Sequence, residues 1–98
     1  MKLLQDKVTL VTGGSRGIGA SIVSRFAEAG EQVAFTYRSS KEKAEALASE
    51  LAAAHGVTVK AYQSDAASFS AAEELVKAVV EDFGGLDVLV NNAGITRD

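Results

Sequence analysis

The sequence has no cysteine, no proline and no tryptophan, and it has a single histidine. Because cysteine is missing, disulfides and thiolate metal sites are excluded. His55 stands near the end of a predicted helix and is interpreted as a solvated side chain, so no metal ligand is assigned. No apolar run approaches the roughly 20 residues of a membrane-spanning helix, and residues 1–7 lack the apolar centre of a signal peptide. We therefore expect a soluble, cytoplasmic protein with no membrane partner.

The sequence also lacks an excess of positive charge. Its net charge is −3, which gives no electrostatic support for binding to nucleic acid or to a membrane surface. Hydrophobic residues make up 47% and charged residues 23% of the 98 residues, which is typical of a globular protein. A chain of this length forms one domain at most.

A glycine-rich segment, 12–19, directly follows the apolar run 8–11. Gly13 permits a tight turn off a strand, Gly17 lets a pyrophosphate approach the backbone, and Gly19 lets the following helix lie close to the sheet. The spacing G-x-x-x-G-x-G differs from the commoner G-x-G-x-x-G pattern. An isolated match of this kind also occurs in ordinary strand–helix turns, but the pattern of the whole chain favours dinucleotide binding.

Four strand patterns alternate with three helix patterns along the chain. The strands are predicted at 8–12, 33–37, 57–62 and 86–90. The apolar helix faces are Ile18, Ile22, Val23, Phe26 and Ala27; Ala44, Leu47, Ala48, Leu51 and Ala52; and Leu75, Val76, Val79, Val80 and Phe83. Gly30, Gly56 and Gly84 are expected to end these helices, and Ser39 with Glu42 and Ser70 with Glu73 are predicted capping boxes.

This alternation predicts right-handed βαβ units on a parallel sheet. The third strand alternates polar and apolar residues, which indicates an edge position, whereas the fourth is almost entirely apolar, which is typical of a strand covered on both faces. Both features fit the Rossmann-type order 3-2-1-4. The chain ends at Asp98, where a crossover helix is expected to begin. We therefore expect residues 1–98 to be a partial dinucleotide-binding domain, the N-terminal half of a doubly wound parallel α/β sheet, truncated before its catalytic half.

The end of the second strand indicates which dinucleotide is bound. An acidic residue there would hydrogen-bond the ribose 2′-hydroxyl of NAD, but the sequence has Arg38 followed by two serines. Glu31 stands at the opposite end of this strand. A guanidinium can bind a 2′-phosphate bidentately, and Arg16 in the glycine segment can reach the same group. Taken singly, each arginine is also compatible with a solvated surface charge; together they favour NADP.

Two further segments follow strands at the same edge of the predicted sheet. Asp65 comes after the third strand, where it is either a turn residue or an acceptor for the adenine amino group, with Ala66 against the ring. The run 91–94, Asn-Asn-Ala-Gly, follows the fourth strand. Its small residues would let a cofactor lie against the backbone, although an asparagine-rich turn is the alternative.

The segments 12–19 and 91–94 together resemble the T-G-x-x-x-G-x-G and N-N-A-G motifs of the short-chain dehydrogenase/reductase family, and the resemblance covers the whole chain. The extension 95–98, Ile-Thr-Arg-Asp, is similar to the β-ketoacyl-acyl-carrier-protein reductases of fatty acid synthesis. This resemblance implies NADPH-dependent reduction of 3-oxoacyl-acyl-carrier-protein to the 3-hydroxyacyl product. The open alternatives are another member of the family and a non-catalytic, self-associating nucleotide-binding fragment.

The resemblance also implies roles for individual residues. Those expected to hold the phosphates and the adjacent ribose are Gly13, Ser15, Arg16, Gly17, Ile18 and Gly19. Arg38 would hold the 2′-phosphate, Asp65 and Ala66 the adenine, and Asn92, Ala93 and Gly94 the middle of the cofactor. The catalytic residues of the family lie beyond Asp98, so none is assigned and the chain alone is expected to be inactive. Its expected partners are the cofactor, acyl-carrier protein through the parent enzyme, and either further copies or the missing half.

Overall fold

The computed structural model describes residues 7–13, 17–64 and 69–91. Within them, strands and helices alternate along the chain. Their bounds are β1 (Val8–Thr12), α1 (Gly17–Glu28), β2 (Gln32–Tyr37), α2 (Lys41–His55), β3 (Val59–Gln63), α3 (Phe69–Phe83) and β4 (Val88–Asn91).

The four strands form one parallel sheet in the order β3-β2-β1-β4. Leu10 of β1 pairs with Ala34 of β2 on one side and with Leu89 of β4 on the other. Ala34 in turn pairs with Lys60 of β3. This confirms the predicted strand order and places the carboxyl ends of all four strands at one edge of the sheet.

Helices cover both faces of the sheet and create two cores. Helices α1 and α2 pack on one face, and α3 packs on the other. The buried residues of the first core are Val11, Val23, Ala27, Val33, Phe35, Tyr37, Ala44, Ala48, Leu51 and Val59. Those of the second are Val8, Leu10, Ala34, Leu75 and Val79. Alternate residues of β1 and β2 therefore point into different cores, as the two-residue period of a strand requires.

Left-handed glycines end the helices, as predicted. After α1, the Gly30 N–H donates to the Ala27 carbonyl and the Glu31 N–H to the Phe26 carbonyl, both about 3 Å long, which is the Schellman pattern. Gly56 adopts φ 66° after α2, and Gly84 adopts φ 83° after α3. Each conformation is one that a residue with a Cβ adopts only at a cost.

Both predicted capping boxes are wrong. The residue before α2 is Ser40 rather than Ser39, and its side chain makes no capping hydrogen bond. Ser70 lies inside α3, which begins at Phe69. The serine–glutamate spacing is a local pattern, and the ends of a helix commonly differ from such a pattern by one or two residues.

Strand bounds differ from the sequence pattern because pairing sets them. Strand β3 begins at Val59, which pairs with Val33, so residues 57 and 58 precede the ladder. Strand β4 begins at Val88, which pairs with Thr9. An apolar residue can precede a strand and still pack against the core, and Leu86 does so against the second core.

Several apolar side chains are more exposed than their patterns predict. Ile18 is 63% and Val80 42% exposed, so neither belongs to the buried face of its helix. Val88 and Leu89 in β4 are 36% and 56% exposed. The continuous apolarity of this strand predicts cover on both faces, but β4 is the outer strand of the described sheet and that cover is incomplete.

Candidate dinucleotide-binding site at the carboxyl edge of the sheet

The chain leaves the carboxyl ends of β1, β2 and β3 at one edge of the sheet. Gly13 follows β1, Arg38 follows β2 and Ser64 follows β3. In open parallel sheets, ligands bind outside this edge, next to the point where the strand order reverses. Here the reversal lies at β1, since the chain moves from β1 outward to β3 and then returns to β4 on the other side of β1.

The turn after β1 begins at a left-handed glycine that is held by the neighbouring strand. Gly13 has φ 70°, and its N–H donates to the Thr36 hydroxyl at 2.7 Å. On the opposite side of β1, the Thr12 hydroxyl donates to the Val90 carbonyl at 3.4 Å. Side chains thus connect the end of β1 to both neighbouring strands, just before the segment expected to bind phosphate.

The start of α1 faces open space. Gly17 is the first helical residue, with φ 62°, and a Cβ placed on it would meet no atom within 4 Å. Ile18 beside it is exposed, whereas Gly19 is buried, as expected for a helix that lies close to the sheet. Residues 17 and 18 are therefore exposed at the end of α1 where the first backbone N–H groups have no partner within the helix.

The segment after β2 carries an exposed positive charge. Arg38 is exposed, and its carbonyl accepts a hydrogen bond from the Gln63 side-chain amide at 3.2 Å. The Ser64 N–H donates to the Tyr37 carbonyl at 3.0 Å. The exit of β2 is therefore joined to the exit of β3 by two hydrogen bonds, while the Arg38 side chain stays accessible.

Glu31 lies at the other end of β2, as predicted. Its side chain is fully buried and bonded to the Thr9 hydroxyl. Burial raises the pKa of this carboxyl; the hydrogen bond from Thr9 and the charge of Lys7 oppose that effect, and the charge of Asp87 adds to it. Because Glu31 is buried at the amino end of β2, it cannot reach a ribose at the carboxyl edge.

Of the predicted site residues, the structure brings Gly13, Gly17, Ile18, Gly19 and Arg38 to the carboxyl edge of β1 and β2. The others lie outside the described residues, and their roles stay predictions: Ser15, Arg16, Asp65, Ala66, Asn92, Ala93 and Gly94.

Sequence reasoning missed Thr36 and Gln63. Thr36 is a polar residue between Phe35 and Tyr37 in an otherwise apolar strand, and it is only 3% exposed. A buried hydroxyl requires a hydrogen-bond partner, so its position was a usable signal. Gln63 gives no such signal, because an exposed glutamine at the end of a strand is common.

A second group of polar side chains lies away from this edge, between β3 and α3. The Tyr62 hydroxyl donates to Asp82 at 2.7 Å, and Lys60 Nζ lies 3.1 Å from the same carboxylate oxygen. The Tyr62 hydrogen bond, followed by that of Lys60, lowers the pKa of Asp82. Burial and the Asp82 carboxylate raise the pKa of Tyr62 above its usual value. Asp82 is therefore a partner of β3 and not only the solvated helix residue that its pattern indicates.

The described residues contain neither a metal-binding cluster nor a helix able to cross a membrane. No group of three or more His, Cys, Asp or Glu side chains in ranges 7–13, 17–64 and 69–91 could hold a metal ion. Within the same ranges, no helix combines the length and the apolar character needed to cross a membrane.

A parallel sheet of order 3-2-1-4 with a glycine turn entering α1 defines a Rossmann-type, dinucleotide-binding class of fold. The sequence profile of the short chain dehydrogenase family matches residues 7–98. The chain therefore belongs to the short-chain dehydrogenase/reductase family.

The relatives most relevant to this chain differ in the substrate that their names give. The chain is 54% identical over 92 residues to the 3-oxoacyl-[acyl-carrier-protein] reductase FabG of Staphylococcus aureus, a match that covers 94% of the chain and 37% of that protein. It is 43% identical over 97 residues to an NADP-dependent mannitol dehydrogenase of Aureobasidium melanogenum, with 97% and 36% covered.

Among solved structures, a short chain dehydrogenase from Burkholderia cenocepacia in complex with NADP superposes with a TM-score of 0.89 at 52% identity, covering 96% of the chain and 38% of that protein. The chain thus spans well under half the length of the relatives it matches.

Proposed function

We propose that this chain is the NADP-binding part of a reductase that converts 3-oxoacyl-acyl-carrier-protein to 3-hydroxyacyl-acyl-carrier-protein. The observation that carries the cofactor assignment is the exposed Arg38 at the carboxyl end of β2. The nearest carboxyl along that strand, Glu31, is buried at the opposite end. A guanidinium at this position attracts a 2′-phosphate, which distinguishes NADP from NAD.

The described residues fit a bound dinucleotide. The open space that an added Cβ on Gly17 would meet leaves room for a pyrophosphate against the backbone there. The exposed Ile18 would be covered by the adjacent part of the cofactor, which accounts for an apolar side chain left on the surface. When bound, NADPH supplies the hydride for the reduction, and these residues bind and orient it.

The names of relatives support the cofactor more strongly than the substrate. Both the Burkholderia structure and the Aureobasidium enzyme are described with NADP. The higher identity to the Staphylococcus reductase favours the acyl-carrier-protein substrate. The mannitol dehydrogenase keeps a second candidate open, a different NADP-dependent member of the family.

Other parts of the assignment stay predictions. No described residue is assigned a catalytic role, so we expect the 98-residue chain to bind cofactor without reducing substrate. Acyl-carrier protein as the partner, a homo-oligomeric or complemented state, and a location in the cytoplasm belong to the same proposal.

The cofactor assignment is tested by Arg38→Asp in the complete gene product that carries this chain. The change replaces a charge-assisted contact with repulsion, so we expect the ratio of NADPH to NADH affinity to fall by roughly 10- to 100-fold. The control is Arg25→Asp, which makes the same change of charge at an exposed position in the last turn of α1. Both dissociation constants are measured by fluorescence titration. An unchanged ratio in Arg38→Asp would contradict the assignment.

The substrate assignment is tested by steady-state kinetics of the same protein. We expect NADPH-dependent reduction of acetoacetyl-acyl-carrier-protein and no NADP-dependent oxidation of mannitol. The reverse result would favour the second candidate while leaving the cofactor assignment intact.

A further inference from the structure

We propose that Thr36 and Gln63 are positioning residues with separable effects: Thr36 sets the glycine turn that any dinucleotide needs, and Gln63 sets the Arg38 segment that only a 2′-phosphate needs. The inference rests on the proposed dinucleotide binding and extends it to residues that are not expected to touch the cofactor. Both act through hydrogen bonds to backbone groups of the site.

Thr36 selects one conformation of the turn after β1. Glycine has more accessible backbone conformations than any other residue, so the left-handed conformation of Gly13 needs an external restraint. The 2.7 Å hydrogen bond from the Gly13 N–H to the Thr36 hydroxyl supplies it. The hydroxyl is buried, where an unpaired polar group is costly. Each partner therefore holds the other in place.

The same hydrogen bond also determines what the turn presents to a ligand. The Gly13 N–H is engaged within the sheet by Thr36. Without this restraint Gly13 can adopt other backbone conformations, and we expect affinity to fall for every ligand that carries a pyrophosphate.

Gln63 acts on the other half of the site. Its side-chain amide donates to the Arg38 carbonyl, next to the backbone hydrogen bond from Ser64 to Tyr37. These contacts connect the ends of β2 and β3. They restrain the backbone of Arg38 and thereby limit the positions that its side chain can reach. Because the contact is exposed, water competes with it, so a smaller effect is expected than for Thr36.

The two effects are separable because the ligands differ in one group. NADPH and NADH share the pyrophosphate, and only NADPH carries the 2′-phosphate. Loss of the Thr36 contact should weaken both ligands by the same factor, whereas loss of the Gln63 contact should weaken only NADPH. A general loss of stability would not produce this division.

Thr36 is tested with Thr36→Val, which keeps the shape and removes the hydroxyl, and with Thr36→Ser, which keeps the hydroxyl. In the complete gene product, Thr36→Val should raise the dissociation constants of NADPH and NADH together, by about 3- to 10-fold, and Thr36→Ser should restore them. Amide hydrogen exchange at Gly13, measured without cofactor, should be faster in Thr36→Val and normal in Thr36→Ser.

Gln63, the last residue of β3, is tested with Gln63→Leu. The matched control is Gln32→Leu at the first residue of β2, at the edge of the sheet away from the proposed site. We expect Gln63→Leu to raise the dissociation constant of NADPH by about 2- to 5-fold without changing that of NADH. The control should change neither.

Equal losses for both ligands in Gln63→Leu, or unchanged affinity and unchanged Gly13 exchange in Thr36→Val, would overturn the inference while leaving the proposed function intact. A complete gene product that binds neither NADPH nor NADH would overturn both. Thermal melts of each variant establish that the folded protein is being compared.

Discussion

The two ends of the sheet are built differently, although the same strands form both. At the carboxyl edge, β1 leads into the left-handed Gly13, an added Cβ at Gly17 would meet open space, and Arg38 after β2 is exposed. At the amino edge, Thr9 and Glu31 form a fully buried pair. One edge is open to a ligand and the other is closed.

Reciprocal hydrogen bonds close the amino edge. The Val8 N–H donates to the Asp87 carboxylate, and the Asp87 N–H donates to the Val8 carbonyl, both at 2.9 Å. The Gln32 N–H donates to the Lys7 carbonyl at 2.9 Å. The two backbone hydrogen bonds extend the pairing of β1 with β2 to Lys7, the residue before β1, and the pairing of β1 with β4 to Asp87, the residue before β4.

Under the proposed function, stability and ligand binding depend on opposite ends of the sheet. At the amino edge, the Asp87 carboxylate accepts from the Val8 backbone N–H, which stabilises the sheet, whereas the buried Glu31 Oε2 has no hydrogen-bond partner among the described residues. Groups at the carboxyl edge keep space and charge available, which a ligand can use. Changes at the two ends should therefore affect different measurements.

The largest effect is expected from Phe35→Ala, which should destabilise both edges of the sheet. Phe35 is fully buried in the middle of β2, between Glu31 at one end and Arg38 at the other. We expect the free energy of unfolding to fall by about 3–5 kcal/mol, measured by urea denaturation. Phe35→Leu, the control, should lose less. The rate of amide hydrogen exchange should rise at both edges of the sheet. A rise at only one edge would contradict the prediction that Phe35 stabilises both ends of β2.

Asp87→Ala is expected to weaken the amino edge alone. It leaves the Val8 N–H without its carboxylate acceptor, at a cost of about 1–3 kcal/mol. Asp87→Asn retains an acceptor oxygen and should lose less. NADPH affinity of the folded protein should be unchanged in both variants. A loss of affinity that matches the loss of stability would show that the two edges are not independent.

Gly17→Ala and Gly56→Ala form a matched pair that separates conformation from binding. Both glycines are left-handed, at φ 62° and 66°, and neither added Cβ would meet an atom within 4 Å. Each change should lower the free energy of unfolding by about 1–2 kcal/mol. Only Gly17→Ala should also weaken NADPH binding, because its methyl group enters the proposed site. Equal affinities in the two variants would argue against a site at Gly17.

Glu31→Gln is expected to have the smallest effect at neutral pH, because the Thr9 hydrogen bond and the Lys7 charge offset part of the cost of burial. The pKa of Glu31 in the folded protein lies above its ordinary value of 4.5. The stabilisation from protonated Glu31 is therefore complete below pH 4.5 and is lost as pH rises through the folded pKa.

Glu31→Gln removes this pH dependence. We expect it to be more stable relative to the wild type at pH 8 than at pH 4, as measured by urea denaturation at both values. Glu28→Gln, at an exposed position in α1, is the control. An identical pH dependence in Glu31→Gln and the wild type would show that the buried carboxyl does not titrate differently on folding.

The sequence predicted the strand order because the relevant signals are local and periodic. The alternation of β3 indicated an edge strand, and Gly30, Gly56 and Gly84 marked helix ends that the structure confirms. Arg38 could be assigned to the carboxyl edge because strand direction alone decides that position. Glu31 could be excluded from the site for the same reason.

Other features could not be read from local pattern. Ile18 and Val80 have the right spacing for a buried helix face, but the position of each helix on the sheet leaves them exposed. The capping boxes at Ser39 and Ser70 failed because α2 begins after Ser40, whose side chain makes no capping hydrogen bond, and α3 begins at Phe69, before Ser70.

Periodicity, backbone freedom and residue type are sufficient to predict the alternation of strands and helices, the parallel order of the sheet, the turn glycines and the charge at the end of β2. Three contacts arise only once the chain is folded: Thr36 with Gly13, Gln63 with Arg38, and the buried pair of Glu31 and Thr9. These contacts join residues more than twenty positions apart. No local pattern encodes them, because they depend on which strands become neighbours and in which register.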